Sequence, residues 1–136
     1  MGITFKNGIL LVAYPEHHVV SNPIIQEAIR FGIEEALRVE AQAFLPGRLA
    51  WLAQQHQLRY NKVFIKNLKS RWGSCSAVNN INLNLHLMRL PDQLIDYVLL
   101  HELCHTREKN HGPNLWNTLN EVTNGKAREL DKAMKK

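Results

Sequence analysis

Acidic residues are missing from the whole stretch between Ala41 and Pro91, in a chain that carries twelve of them elsewhere. The same stretch holds Arg48, Arg59, Lys62, Lys66, Lys69, Arg71 and Arg89, so a local cationic face is expected there. Such a face can attract nucleic acid, nucleotides or acidic peptides, but it contains no recognisable nucleic-acid motif, and charge runs are most often plain solvated surface. Long apolar runs are also absent: Ile9 to Ala13 is only strand-sized, against the roughly 18 residues needed to span a bilayer. No membrane span is expected. The N-terminus lacks a basic region followed by a long apolar segment and a small-residue cleavage site, which argues against export. With only two cysteines, Cys75 and Cys104, a disulfide framework is excluded and a reduced, cytoplasmic chain is expected. There is no internal repeat, low-complexity tract or linker, and 136 residues with 45% hydrophobic content suit a single domain over 1–136.

Thr4-Phe5 and Ile9 to Ala13 flank Asn7-Gly8 and predict a short hairpin ended by Pro15. Ser21 or Asn22 can cap a helix opening on Pro23, with Ile24, Ile25, Ala28, Ile29, Ile33, Ala36 and Leu37 as its apolar face. Pro46-Gly47 is expected to interrupt it. Val63 to Ile65 predicts a strand over about 62–67. A loop follows over 71–78, and then the alternation of Ile81, Leu83, Leu85 and Leu87 with Asn82, Asn84 and His86 predicts the clearest strand, with its polar face toward solvent or substrate. From Pro91 to about Arg107 the apolar residues Leu94, Ile95, Val98, Leu99, Leu100, Leu103 and Cys104 go nearly all round a helix, which marks it as buried and central. Gly112-Pro113 opens another helix, and a polar one follows Asn124-Gly125.

That central helix contains His101, Glu102 and His105, in the pattern H-E-x-x-H. Residues i and i+4 share a helical face, so the two imidazoles can reach one metal ion with the glutamate beside them. A glutamate and two histidines among leucines and valines are costly to bury without partners, and a metal provides them. His111 is the leading third ligand, held at the break between two helices where Asn110 can adopt a left-handed conformation. Glu121 and Cys75 stay open as alternatives. A metzincin is not expected, because Glu108 stands where that pattern has glycine. Three protein ligands leave a position for water, as in catalytic zinc sites, and Glu102 is placed to take that water's proton. His17, His18, His56 and His86 have no ligand spacing, and Cys104 reads as a small core residue. Trp72 and Trp116 are expected to pack near the site, and Arg71 to pair with Asp96 or to face a substrate anion.

With Arg71-Trp72-Gly73-Ser74-Cys75, Ile81-Asn82-Leu83-Asn84, Ile95-Asp96-Tyr97-Val98 and His101 to His105 followed by Asn110-His111, the chain resembles the YgjP-like metal-dependent hydrolases over about residues 46–122. That family is similar to the SprT-like peptidases. The resemblance implies an α+β, zincin-like fold with a small sheet packed on the H-E-x-x-H helix. It further implies His101, His105 and His111 as ligands of Zn2+ and Glu102 as the general base of a peptidase acting on peptide or protein. The expected function is therefore a zinc-dependent hydrolase, with an extended peptide held along the strand from Asn80 to Leu87. Two alternatives are a nucleic-acid-associated binding module with a structural zinc, and a hydrolase of non-peptide amides or nucleotide phosphoanhydrides that uses the cationic stretch.

Overall fold

A computed structural model of the chain describes residues 2–6, 9–13 and 22–135. Strands β1 (Gly2–Lys6) and β2 (Ile9–Ala13) pair antiparallel with Lys6 opposite Ile9, as the predicted hairpin requires. Its turn at Asn7-Gly8 lies outside the described residues, as do Pro15, His17, His18 and Ser21.

Helix α1 runs without a break from Pro23 to Gln55. Asn22 starts it, accepting the Ile24 N–H on its side-chain oxygen at 2.9 Å. The expected interruption at Pro46-Gly47 does not occur. The carbonyl that proline leaves unpaired belongs to the exposed Gln42, where water can satisfy it. Ala41, Leu45, Leu49 and Leu52 meanwhile keep one continuous face buried on both sides of the proline. Tertiary packing outweighs the local breaker.

The second sheet has three strands: β3 (Val63–Lys66), β4 (Gly73–Cys75) and β5 (Ile81–Asn84). Their order is β3-β5-β4, with β5 parallel to β3 and antiparallel to β4. Residues 73–75 form a strand and not the loop that the sequence predicts, and β5 ends at Asn84 instead of continuing to Leu87. The stop has a cause in Asn84, which is buried. Its amide donates to the carbonyls of Leu68 and Arg71, each at 2.9 Å, and its oxygen accepts the His86 N–H, opening a 3-10 turn over Leu85–Arg89. Leu85 and Leu87 remain fully buried, so the alternating leucines mark burial correctly although the backbone changes form. Because β5 is paired on both sides, it cannot hold a peptide by edge pairing.

Helix α2 (Asp92–His105) packs between the sheet, α1 and the two final helices, α3 (Pro113–Val122) and α4 (Ala127–Met134). Leu99, Leu103 and Cys104 are fully covered. Arg48 of α1 grips Asp96 of α2 with both ends of its guanidinium, at 2.8 and 2.6 Å. Asp96 thus pairs with Arg48, not with Arg71. The expected pairing failed because linear distance says nothing about which cation a helix face meets.

Candidate metal centre

Helix α2 and the turn after it bring three imidazoles to one corner of the fold. His101 and His105 leave the same face of the helix one turn apart, and the turn after it brings His111 back over them. Their ligand atoms lie within 4.8 Å of one another. Among the described residues this cluster contains neither Cys75 nor Glu121. Cys75 instead lines the same 250 Å³ cavity, while Glu121 is exposed on α3.

The turn that carries His111 is fixed from both sides. The helix ends at His105, with the Thr106 hydroxyl donating to the Leu103 carbonyl at 2.6 Å and the Glu108 N–H to that of Cys104 at 2.8 Å. Asn110 is not left-handed; the non-glycine residues with positive φ are Gln57, Asn79 and Asn124 among those described. The Lys109 ammonium crosses to the loop after β4, donating to the Ser76 carbonyl at 3.1 Å and to the Asn79 side chain. This strap ties the His111 turn to the sheet. Nothing in the spacing of Lys109 announced it.

His105 Nδ1 lies 3.0 Å from the Glu108 carbonyl, which can only accept, so Nδ1 carries the proton and Nε2 presents a lone pair. Burial first, then the neighbouring His101, pushes the His105 imidazole below its ordinary pKa, toward the neutral form that a metal ligand needs. Its Nε2 faces His111 Nε2 at 3.2 Å. Two nitrogens each about 2.0–2.1 Å from a tetrahedral zinc stand roughly 3.3 Å apart, so this pair has the spacing of two ligands. His101 lies at a stacking angle of 28° to Tyr97, whose hydroxyl donates to Asp131 of α4 at 3.1 Å.

Glu102 is 5% exposed, and its side chain meets only His101 Nδ1, at a long 3.4 Å, among the described residues. The carboxylate lines both cavities beside the cluster, so a cation held between the three histidines would give it the opposite charge it lacks among its contacts. Gly73 is what lets the strand come so close. A Cβ there would stand 3.1 Å from both the Asn82 carbonyl and Glu102 Cγ. Along β4 the Trp72 carbonyl accepts from Asn84 and the Ser76 N–H donates to Asn80. By the antiparallel alternation, Gly73 and Cys75 therefore turn their backbone groups outward, along a free edge beside the histidines.

The cleft continues past Glu102 into a 360 Å³ cavity walled by Trp72, Val98, Tyr97 and Met134. Arg71, exposed, lines both cavities. Trp72 is thus at the site as expected. Trp116 instead packs on α3 with Arg128 over its ring at 3.5 Å. Cys104 is in the core as foreseen.

The model of the family described as YgjP-like, metallopeptidase domain, matches residues 6–136. That extends well beyond the 46–122 over which the motifs are visible. Among solved structures, the metallopeptidase zymogen of Pyrococcus abyssi abylysin aligns with a TM-score of 0.59 and 24% identity, over 67% of this chain and 91% of that one. The metallopeptidase zymogen of Methanocaldococcus jannaschii jannalysin aligns with a TM-score of 0.56 and 22% identity, over 65% and 91%. At these identities the likeness is one of fold, the α+β arrangement of a small sheet on the H-E-x-x-H helix. A search of curated protein sequences finds no match. No helix among the described residues is long and apolar enough to cross a membrane.

Proposed function

The chain belongs to the YgjP-like metallopeptidase-domain family, and from that premise we propose that it is a zinc-dependent peptidase built as one unit over 1–136, with His101, His105 and His111 as the metal ligands and Glu102 as the general base. The observation that carries this reading is the meeting of three imidazoles with a buried, weakly partnered carboxylate beside a free strand edge. An all-nitrogen donor set with one short N···N spacing suits zinc, which when bound supplies a Lewis acid for the scissile carbonyl and for water.

The chain's own residues perform the rest. Glu108 fixes the tautomer of His105 through its carbonyl. The outward backbone groups of Gly73 and Cys75 hold an extended peptide by strand addition. That pairing lays the peptide across the histidines. Glu102 takes a proton from the attacking water on its carboxylate and returns it to the leaving nitrogen. Tyr97, whose hydroxyl is kept protonated by burial and by Asp131, stacks beside His101 at 6.0 Å between ring centroids.

The test is cleavage of a broad peptide panel by the zinc-loaded chain. Turnover abolished by chelator and restored by zinc is expected, with Glu102→Gln retaining zinc while losing roughly 10²- to 10⁴-fold in turnover. Full turnover in Glu102→Gln would remove the carboxylate from the mechanism, and loss of zinc would make it a ligand or a support.

A further inference from the structure

The fold treats the seven cations between Ala41 and Pro91 unequally. Arg48 is committed to Asp96, and Lys66 lies over the ring of Phe64. Arg59 and Lys62 precede β3, at the opposite end of that strand from Lys69. The remaining three, Lys69, Arg71 and Arg89, line a single cavity of 540 Å³ together with Trp72 and His86. No carboxylate lines it, and none of these three cations has an ion-pair partner among the described residues. Glu34 reaches only the neighbouring cavity that shares His86 and Arg89.

The cavity is also built, not merely exposed. Buried Asn84 pins the loop bearing Lys69 and Arg71 through the carbonyls of Leu68 and Arg71. The chain therefore gathers three like charges around one cavity while the neighbouring carboxylates, Glu34, Glu102 and Asp131, line only the adjoining ones, an arrangement that an anionic ligand would stabilise. Arg71 lines this cavity, the histidine cavity and the apolar one beside Glu102, so the cationic space adjoins the cleft.

We infer that the cavity lined by Lys69, Arg71 and Arg89 binds an acidic segment of the polypeptide substrate, through Asp or Glu side chains close to the scissile bond. The inference rests on the peptidase reading, because it is the chain crossing the cleft that delivers the carboxylates. Guanidinium groups suit them by bidentate pairing, as Arg48 with Asp96 already shows in this fold. A polynucleotide is less favoured, since three cations in one pocket, with the others paired or at the far end of the sheet, do not form a track along a phosphate backbone.

The binding test uses the zinc-loaded full chain carrying Glu102→Gln and labelled peptides that contain either a run of glutamates or the same run as glutamines, read by fluorescence anisotropy at low and high salt. The glutamate peptide should bind more tightly, with the difference shrinking as salt rises, and adding Lys69→Gln with Arg89→Gln should weaken its binding by about tenfold at unchanged zinc content and Tm. Equal binding of the two peptides, or no effect of the paired substitutions, overturns the inference. So does a single-stranded oligonucleotide of equal charge that binds more tightly than the glutamate peptide and is released by the same substitutions. Tight binding of the glutamate peptide with no cleavage of any peptide by the wild type would retain the cavity and discard the peptidase reading. Cleavage indifferent to acidic residues would do the reverse.

Discussion

The H-E-x-x-H face of α2 and the cationic cavity at the end of β5 both gather charged or titratable side chains, but they do so in opposite environments. Glu102 and His105 are 5% and 7% exposed, among leucines. Lys69, Arg71 and Arg89 stand in solvent. Burying a polar group carries a free-energy cost that its partners must offset, whereas a surface cation costs almost nothing to keep. Buried polar groups such as Glu102 and His105 therefore point to a ligand by themselves, although His101 is half-buried and His111 exposed. Exposed cations do so only when the fold gathers them around one cavity that no carboxylate lines.

Substitutions that probe the buried region, leaving the cationic cavity untouched, should follow this order. The largest effect is expected from the core beneath the histidines. Leu103→Ala, in a fully buried position between Glu102 and His105, should cost about 2–5 kcal/mol in chemical denaturation. A cost below about 1 kcal/mol would mean that α2 is not the packed platform described. Gly73→Ala comes next: its Cβ must displace either the Asn82 carbonyl or Glu102, so about 1–3 kcal/mol of stability should be lost together with turnover on any peptide the wild type cleaves. Retained stability and turnover would show that the close approach of β4 to the carboxylate is not needed. Arg48→Ala removes a tie between α1 and α2 that is about a third exposed, and a loss of about 1 kcal/mol is expected, read from the same denaturation curves.

The smallest perturbation is chemical. Burial pushes the Cys104 thiol up to about 12, so at about pH 8 it should resist iodoacetamide until the protein unfolds. Burial also raises Cys75, against the pull of Lys109, so Cys75 should react more slowly than free cysteine. Rapid labelling of Cys104 in the native state, followed by mass spectrometry, would contradict the packing of α2.

What could be read in advance follows the same division. The i, i+4 histidines, their glutamate and the nearly all-round apolar helix are local patterns, and all of them appear in the fold. The leucines of 81–87 announced their burial, but the turn at Asn84 depends on carbonyls from residues 68 and 71 and is invisible to any periodicity. Pro46 misled because the strength of a breaker is set by what packs across it. Strand β4, three residues long and containing Gly73, has too little pattern to be recognised; only its fit against Glu102 explains it. Arg48 rather than Arg71 on Asp96, the Lys109 strap and the gathering of Lys69 with Arg89 are long-range facts of the same kind.

X-ray absorption at the zinc edge of the zinc-loaded chain, compared with that of Cys75→Ser, Glu121→Gln and His111→Ala, tests the central claim most directly. One zinc per chain is expected, in a shell of nitrogen and oxygen with three imidazoles, unaltered by Cys75→Ser or Glu121→Gln and losing one imidazole and most of its affinity in His111→Ala. A sulfur in that shell, or a shell indifferent to His111→Ala, would contradict the three-histidine centre.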